Sequence, residues 1–167
     1  VNYRPPSNRK PNDVEIERYL PYLKSHIEII NPKILVLLGS TALNTLIGNE
    51  NVILLGDFNE EPNGMNIQSL KAVGLKSLME PMIGKPKIGT YVYRGKDELV
   101  DQIIIHESLQ DQSGLIIDPE SLYILDLPKY RQQEGRYAHY PFRFWAGDQV
   151  LGGYSDHLAI RVAIIKK

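Results

Sequence analysis

The chain has 167 residues, 43% of them hydrophobic and 23% charged, with a formal net charge of -1. This suits one ordinary core and shows no bulk-charge signature of a nucleic-acid binder, although a local basic patch stays compatible with it. Cysteine is absent, which excludes disulfides, thiolate catalysis, cysteine-held zinc and any iron–sulfur cluster. No apolar run approaches the length of a bilayer span, and the polar start VNYRPPSNRKPN does not read as a signal peptide; the location stays open, with the cytoplasm expected if the chain is natural.

Residues 1 to 12 read as an irregular basic arm in which Arg4, Arg9 and Lys10 are candidate phosphate contacts. A helix over 13 to 30 follows, with Asn12 as N-cap and Glu15 completing a capping box. Ile16, Leu20, Leu23, Ile27 and Ile30 fall on one face of it, Pro21 threatens a kink, and Asn31-Pro32 closes it. The aliphatic run KILVLLG, 33 to 39, suits a central parallel strand. Ser40 can cap a short helix, TALNTLIG, and NVILLG, 51 to 56, is a second buried strand. MNIQSLKAVGLKSLM reads as a helix interrupted or ended near Gly74. TYVYRG and ELVDQIIIHESL read as a hairpin pair around Gly95, and LAIRVAII as a closing strand. PKYRQQEGRYAHYPFRFWAGD, 128 to 148, has no clean period and reads as a long ordered loop. Its Tyr137, Tyr140, Arg143 and Trp145 either pack or stack nucleic-acid bases. The sum is a layered α/β fold.

Three short stretches carry chemistry. VILLGDFNEEP ends an apolar strand on Asp57 and Asn59, which share a face if extended geometry persists. The carboxylate suits a hard divalent cation, and the carboxamide suits a phosphate oxygen or water beside it. Asp156-His157 leads into the last strand, and Asp101 interrupts the aliphatics of VDQIII. A buried acid needs a partner, and a ring nitrogen of His157 would serve. Each stretch also has a plainer reading as a turn or a surface pair. Glu61 reads equally as a solvated turn residue, and His26 as helix filler.

LLGDFNEEP, VDQIII and GGYSDHLAIRV together resemble the C-terminal half of the endonuclease/exonuclease/phosphatase superfamily, whose members are similar to DNase I, abasic-site endonucleases and sphingomyelinases. The resemblance implies a metal-dependent phosphodiesterase or endonuclease site using Mg²⁺ or Mn²⁺. Asp57 would bind metal or orient the nucleophile and Asn59 would hold phosphate. Asp156 would contact metal or water, and His157 would contact the phosphate or act as a base, paired with Asp101. The family's metal-binding glutamate has no match before residue 51. Glu28, Glu50 and Glu80 are therefore the candidates for a carboxylate facing Asp57, and the site is expected to be incomplete and weak or inactive.

VNYRPPSNRKP and IERYLPYLKSHIEIINPKILVLLGSTALNTLIG resemble an internal piece of the iron–sulfur type of uracil-DNA glycosylase. Tyr3 and Tyr19 stand where that family carries cluster cysteines, so the resemblance does not extend to the cluster. The expected organisation is a chimera: a glycosylase-like fragment over 1–48 and half of a DNase I-like α/β sandwich over 49–167, packed as one domain. Nucleic acid or another phosphodiester is the expected partner. A homo-oligomer formed through an exposed sheet edge or face is also expected, and a membrane is not.

Overall fold

The computed structural model describes residues 9, 11–32, 35–38, 52–110 and 115–166. Helix α1, Asp13–Ile30, begins as its sequence dictates. The Asn12 side chain accepts from the Glu15 backbone N–H at 2.9 Å while Glu15 reaches back to the Asn12 N–H at 3.0 Å. Glu15 also receives both terminal nitrogens of Arg9 at 2.8 Å, so this arginine of the basic arm is tied to the helix start. Exposed Pro21 is carried inside the helix, which ends on left-handed Asn31.

Four strands form the main sheet: β1 (Leu35–Leu38), β2 (Val52–Asp57), β3 (Leu75–Ser77) and β6 (Asp101–His106), in the order β1-β2-β6-β3. β1 runs parallel to β2, while β6 is antiparallel to both β2 and β3. Alternation along the strands divides the core into two. Val52, Leu54 and Ile104 point to one face and pack with Ile67, Leu70 and Leu75, against Leu20, Leu23 and Ile27 of α1. Ile53, Ile103 and Ile105 point to the other face, where Ile117, Leu122, Ile160 and Val162 meet them. Those residues belong to a second sheet, β7 (Leu115–Ile124) paired antiparallel with β10 (Ile160–Lys166). The result is helix, sheet and sheet in three layers, a mixed α/β architecture of the class expected.

Several local expectations are corrected. β1 lies at the edge of the sheet among the described residues, with Val36 47% exposed, where a central strand was expected. Ile30 is exposed because it stands in the last turn, beyond the reach of the core. The helix expected after residue 64 is only α2, Met65–Ser69, and one 3-10 turn over Leu70–Val73. Gly74 stops it with φ of 74°, where an added Cβ would press on the His106 ring, and the next residues become β3. The hairpin around Gly95 is short, β4 (Tyr91–Tyr93) with β5 (Lys96–Glu98). β6 leaves it to join the main sheet. Within 128–148 the chain forms a single antiparallel bridge between Arg131 and Pro141, and β8 (Trp145–Ala146) turns back on β9 (Gln149–Val150). The short helix expected over TALNTLIG, with Arg4, Lys10 and Glu50, lies outside the described residues.

Candidate metal and phosphodiester site

The sheet itself creates the site. β2 and β6 pair so that Asp57 stands directly opposite Asp101. Two carboxylates in facing positions of an antiparallel pair repel, so this register is costly unless a third group compensates. His157 supplies one: its Nδ1 lies 2.7 Å from Asp101 Oδ2. An ionised carboxylate only accepts, so Nδ1 carries the proton and Nε2 is the free end of the ring. Asp57 is exposed at the strand end, whereas the Asp101 and His157 side chains are 15% and 25% exposed. One ligand atom from each of the three residues lies within 4.8 Å of the others.

Each side chain is held from behind. Asp57 Oδ1 accepts the backbone N–H of Asn59 at 2.8 Å, an Asx turn that places Asn59 at φ of 51°. The ring of Tyr91 stacks on His157 at 4.7 Å between centroids. Thr90, fully buried, joins the two halves of the dyad: its hydroxyl accepts the Asp101 N–H at 3.2 Å and its carbonyl accepts the Leu158 N–H at 2.7 Å. Gln102, also fully buried, donates to the Leu99 carbonyl at 2.6 Å and the Glu60 carbonyl at 3.0 Å, and accepts from the Ser77 hydroxyl at 2.6 Å. It thereby ties the loop bearing Asn59 to the start of β6.

Asp57, Asp101 and His157 thus come together. Asn59 is exposed one turn beyond them, and Asp156 is exposed, makes no hydrogen bond or ion pair among the described residues and is not one of the three. The carboxylate facing Asp57 is Asp101. Glu80 is engaged by Lys71 and Gln68, and Glu28 and His26 are exposed on α1. Glu61 is an exposed turn residue whose carbonyl accepts the Gly64 N–H. Sequence reasoning missed Thr90, Tyr91 and Gln102. Gln102 carried a signal, an amide inside an aliphatic run, but the strand pairing that gives it a role is long-range.

The chemistry of the donor set fits a metal in part. Two carboxylates and one imidazole suit a divalent cation. The hydrogen bond already occupies Nδ1 and Oδ2 of the dyad, so Asp57 and the second oxygen of Asp101 are the first donors available. Three side chains fall short of the six or more ligands of a hard cation, which makes the site incomplete on protein donors alone. Among the described residues no helix is long and apolar enough to cross a membrane.

Fold and site together define a layered α/β phosphodiesterase-like protein, and the chain belongs to the Endonuclease/Exonuclease/phosphatase family, whose model matches residues 40–166. Short stretches are similar to type-4 uracil-DNA glycosylases. The Thermotoga maritima protein is 42% identical over 52 residues, covering 31% of this chain and 27% of its own length. That of Sulfurisphaera tokodaii is 54% identical over 39 residues, 23% of this chain and 18% of its own length, and that of Pyrobaculum aerophilum 43% over 47 residues, 28% and 24%. The chain thus spans about a quarter or less of the curated relatives it matches. The two kinds of similarity agree with a two-part architecture.

Proposed function

We propose that this chain binds a divalent cation, Mg²⁺ or Mn²⁺, together with a phosphodiester at Asp57, Asp101 and His157, and hydrolyses the ester slowly. The observation that supports this most is the facing register of Asp57 and Asp101 with His157 bonded to one of them. A bound cation would neutralise the facing carboxylates and polarise a phosphoryl oxygen. Asp57 and Asp101 would hold it, and Asp156, adjacent to His157 in the chain, would contact it or its water. Asn59 offers its carboxamide to a phosphate oxygen. His157 Nε2 takes a proton from the attacking water, while Asp101 holds the ring in the required tautomer and steadies the charge that forms. A new P–O bond forms to that water, the ester P–O bond breaks, and the departing oxygen takes a proton from solvent. Slow turnover follows from the incomplete protein ligand set.

The glycosylase-like segment over 1–48 and the remainder over 49–167 pack as one unit in this reading, because β1 pairs with β2 and α1 covers the same core. The partners it implies are nucleic acid or another phosphodiester, and a second copy of the chain along the β1 edge. A sedimenting monomer would remove the second of these.

Plasmid DNA and bis(p-nitrophenyl) phosphate, incubated with Mg²⁺ or Mn²⁺, test the proposal against Asp57→Ala and His157→Ala. Cleavage reduced at least tenfold in both variants is expected. Equal rates in all three proteins would assign the turnover to contamination.

A further inference from the structure

A second feature lies outside that site. Arg131 organises the loop after β7: it binds Asp126 through two nitrogens at 2.6 and 2.9 Å and donates to the His139 carbonyl. The backbone between Gln132 and Tyr140 is closed by two further hydrogen bonds, Gln132 N–H to the Tyr140 carbonyl at 2.8 Å and His139 N–H to the Gln132 carbonyl at 2.9 Å. This fixes Tyr137 and Tyr140 edge to face, 5.3 Å between centroids. Beside them a cavity of about 350 Å³ is lined by Gln132, Tyr137, Tyr140, Arg143, Ala146 and Leu151.

Arg143 sets this cavity apart. It is half-buried and makes no hydrogen bond, ion pair or ring contact among the described residues. Nearby arginines are engaged: Arg131 with Asp126, Arg136 over Tyr137 and Arg161 over Tyr123. A partly desolvated guanidinium without a counter-charge, beside two phenol rings and an apolar wall, calls for an anionic ligand that is also aromatic.

The cavity is tied to the dyad. The Phe142 carbonyl receives the N–H groups of Tyr154 at 2.6 Å and Ser155 at 3.3 Å, and the Phe144 carbonyl that of Leu151 at 2.8 Å. The segment that walls the cavity at Leu151 therefore delivers His157 six residues later.

We propose that this cavity is a nucleotide subsite. It takes one unstacked nucleobase against Tyr137 and Tyr140, with Arg143 on a phosphate oxygen of the same nucleotide. A base stacked in a duplex cannot enter, so the substrate class is single-stranded or short oligonucleotide. This deepens the hydrolase reading and rests on it for the neighbouring phosphodiester at His157, but the binding itself needs no cation.

The test is a fluorescence titration in EDTA, reported by Trp145, which adjoins Ala146 of the cavity wall. Adenosine 5′-monophosphate should saturate the signal, and ribose 5-phosphate should bind about tenfold more weakly, the worth of one stacked base. Arg143→Gln and Tyr140→Ala should each lose about tenfold, and Tyr140→Phe should retain binding. Equal affinity for the two phosphates, no saturation, or an unchanged Arg143→Gln would overturn the subsite. Nucleotide binding without any cleavage would sink the hydrolase reading alone, and cleavage without nucleotide binding would sink the subsite alone.

Discussion

Replacing Gln102 by leucine removes the amide that locks the site's loop to the sheet while leaving a side chain of similar bulk. Three partners lose their bond at once: the Ser77 hydroxyl and the Leu99 and Glu60 carbonyls. The bonds to Ser77 and Leu99 are buried and the bond to Glu60 is partly buried. A buried polar group left unsatisfied costs ~1–3 kcal/mol, and the Glu60 carbonyl, nearer solvent, recovers part of its loss from water. The expected destabilisation is therefore about 2–4 kcal/mol, seen in urea unfolding, or a fall of roughly 5–15 °C in Tm for a chain of this size. Ser77→Ala should cost somewhat less, because it strands two buried groups rather than three, the Gln102 Oε1 that accepts the Ser77 hydroxyl at 2.6 Å and the Met79 N–H that bonds the Ser77 oxygen at 3.0 Å. The two changes should be non-additive by about 0.5 kcal/mol or more, since they share one bond. A Gln102→Leu loss below about 0.5 kcal/mol would refute the clamp and with it the account of how the Asn59 loop is held.

Two other perturbations read different parts of the structure. At Gly153 an added Cβ would collide with the Phe142 carbonyl, so Gly153→Ala should part the aromatic loop from the His157 turn. Mn²⁺-dependent cleavage should fall at least tenfold, and an unchanged rate would show that this contact does not position the dyad. Glu80 has its carboxyl held below its ordinary value by the Lys71 ammonium, then by Gln68, against a smaller opposing effect of burial. Its contribution is therefore present above the unfolded glutamate value and lost as pH falls through the lower folded one. Glu80→Gln should flatten that acid-side loss in unfolding titrations. The Lys71 pair is 47% and 35% exposed, so the neutral-pH effect should stay below about 1 kcal/mol and fade with salt. An acid limb identical to the parent's would refute the assignment.

Local patterns carried much of this fold and long-range pairing carried the rest. The Asn12 and Glu15 capping box is a four-residue device, and it was legible as such. The aliphatic runs of β2 and β6 were legible because burial on both faces leaves continuous apolar stretches, and those of β1 and β10 were legible as strands by the same composition although Val36, Ile164 and Ile165 stay exposed. β7 was not, since Asp118-Pro119 inside it reads as a break. There the ladder bends, and the Ser121 hydroxyl takes the Ala163 N–H in place of a carbonyl. The stop near Gly74 was legible, whereas the strand that follows it was not, because Leu75–Ser77 become β3 only through pairing with the distant β6. At the site, Asp57, Asn59, Asp101, Asp156 and His157 were all visible as residue types beside strands. The facing of Asp57 by Asp101 was not, because it depends on the register of two strands more than forty positions apart.

In the proposed reaction the facing carboxylates of Asp57 and Asp101 share one divalent cation. Calorimetric titration with Mn²⁺, of the parent chain and of Asp57→Asn, tests it most directly. One Mn²⁺ per chain is expected, with an affinity at least tenfold lower in Asp57→Asn and a cation-free variant more stable by a few tenths to about 1 kcal/mol because the facing charges are relieved. Equal Mn²⁺ affinity in the two proteins, or a cation-free Asp57→Asn that is less stable than the parent, would contradict it.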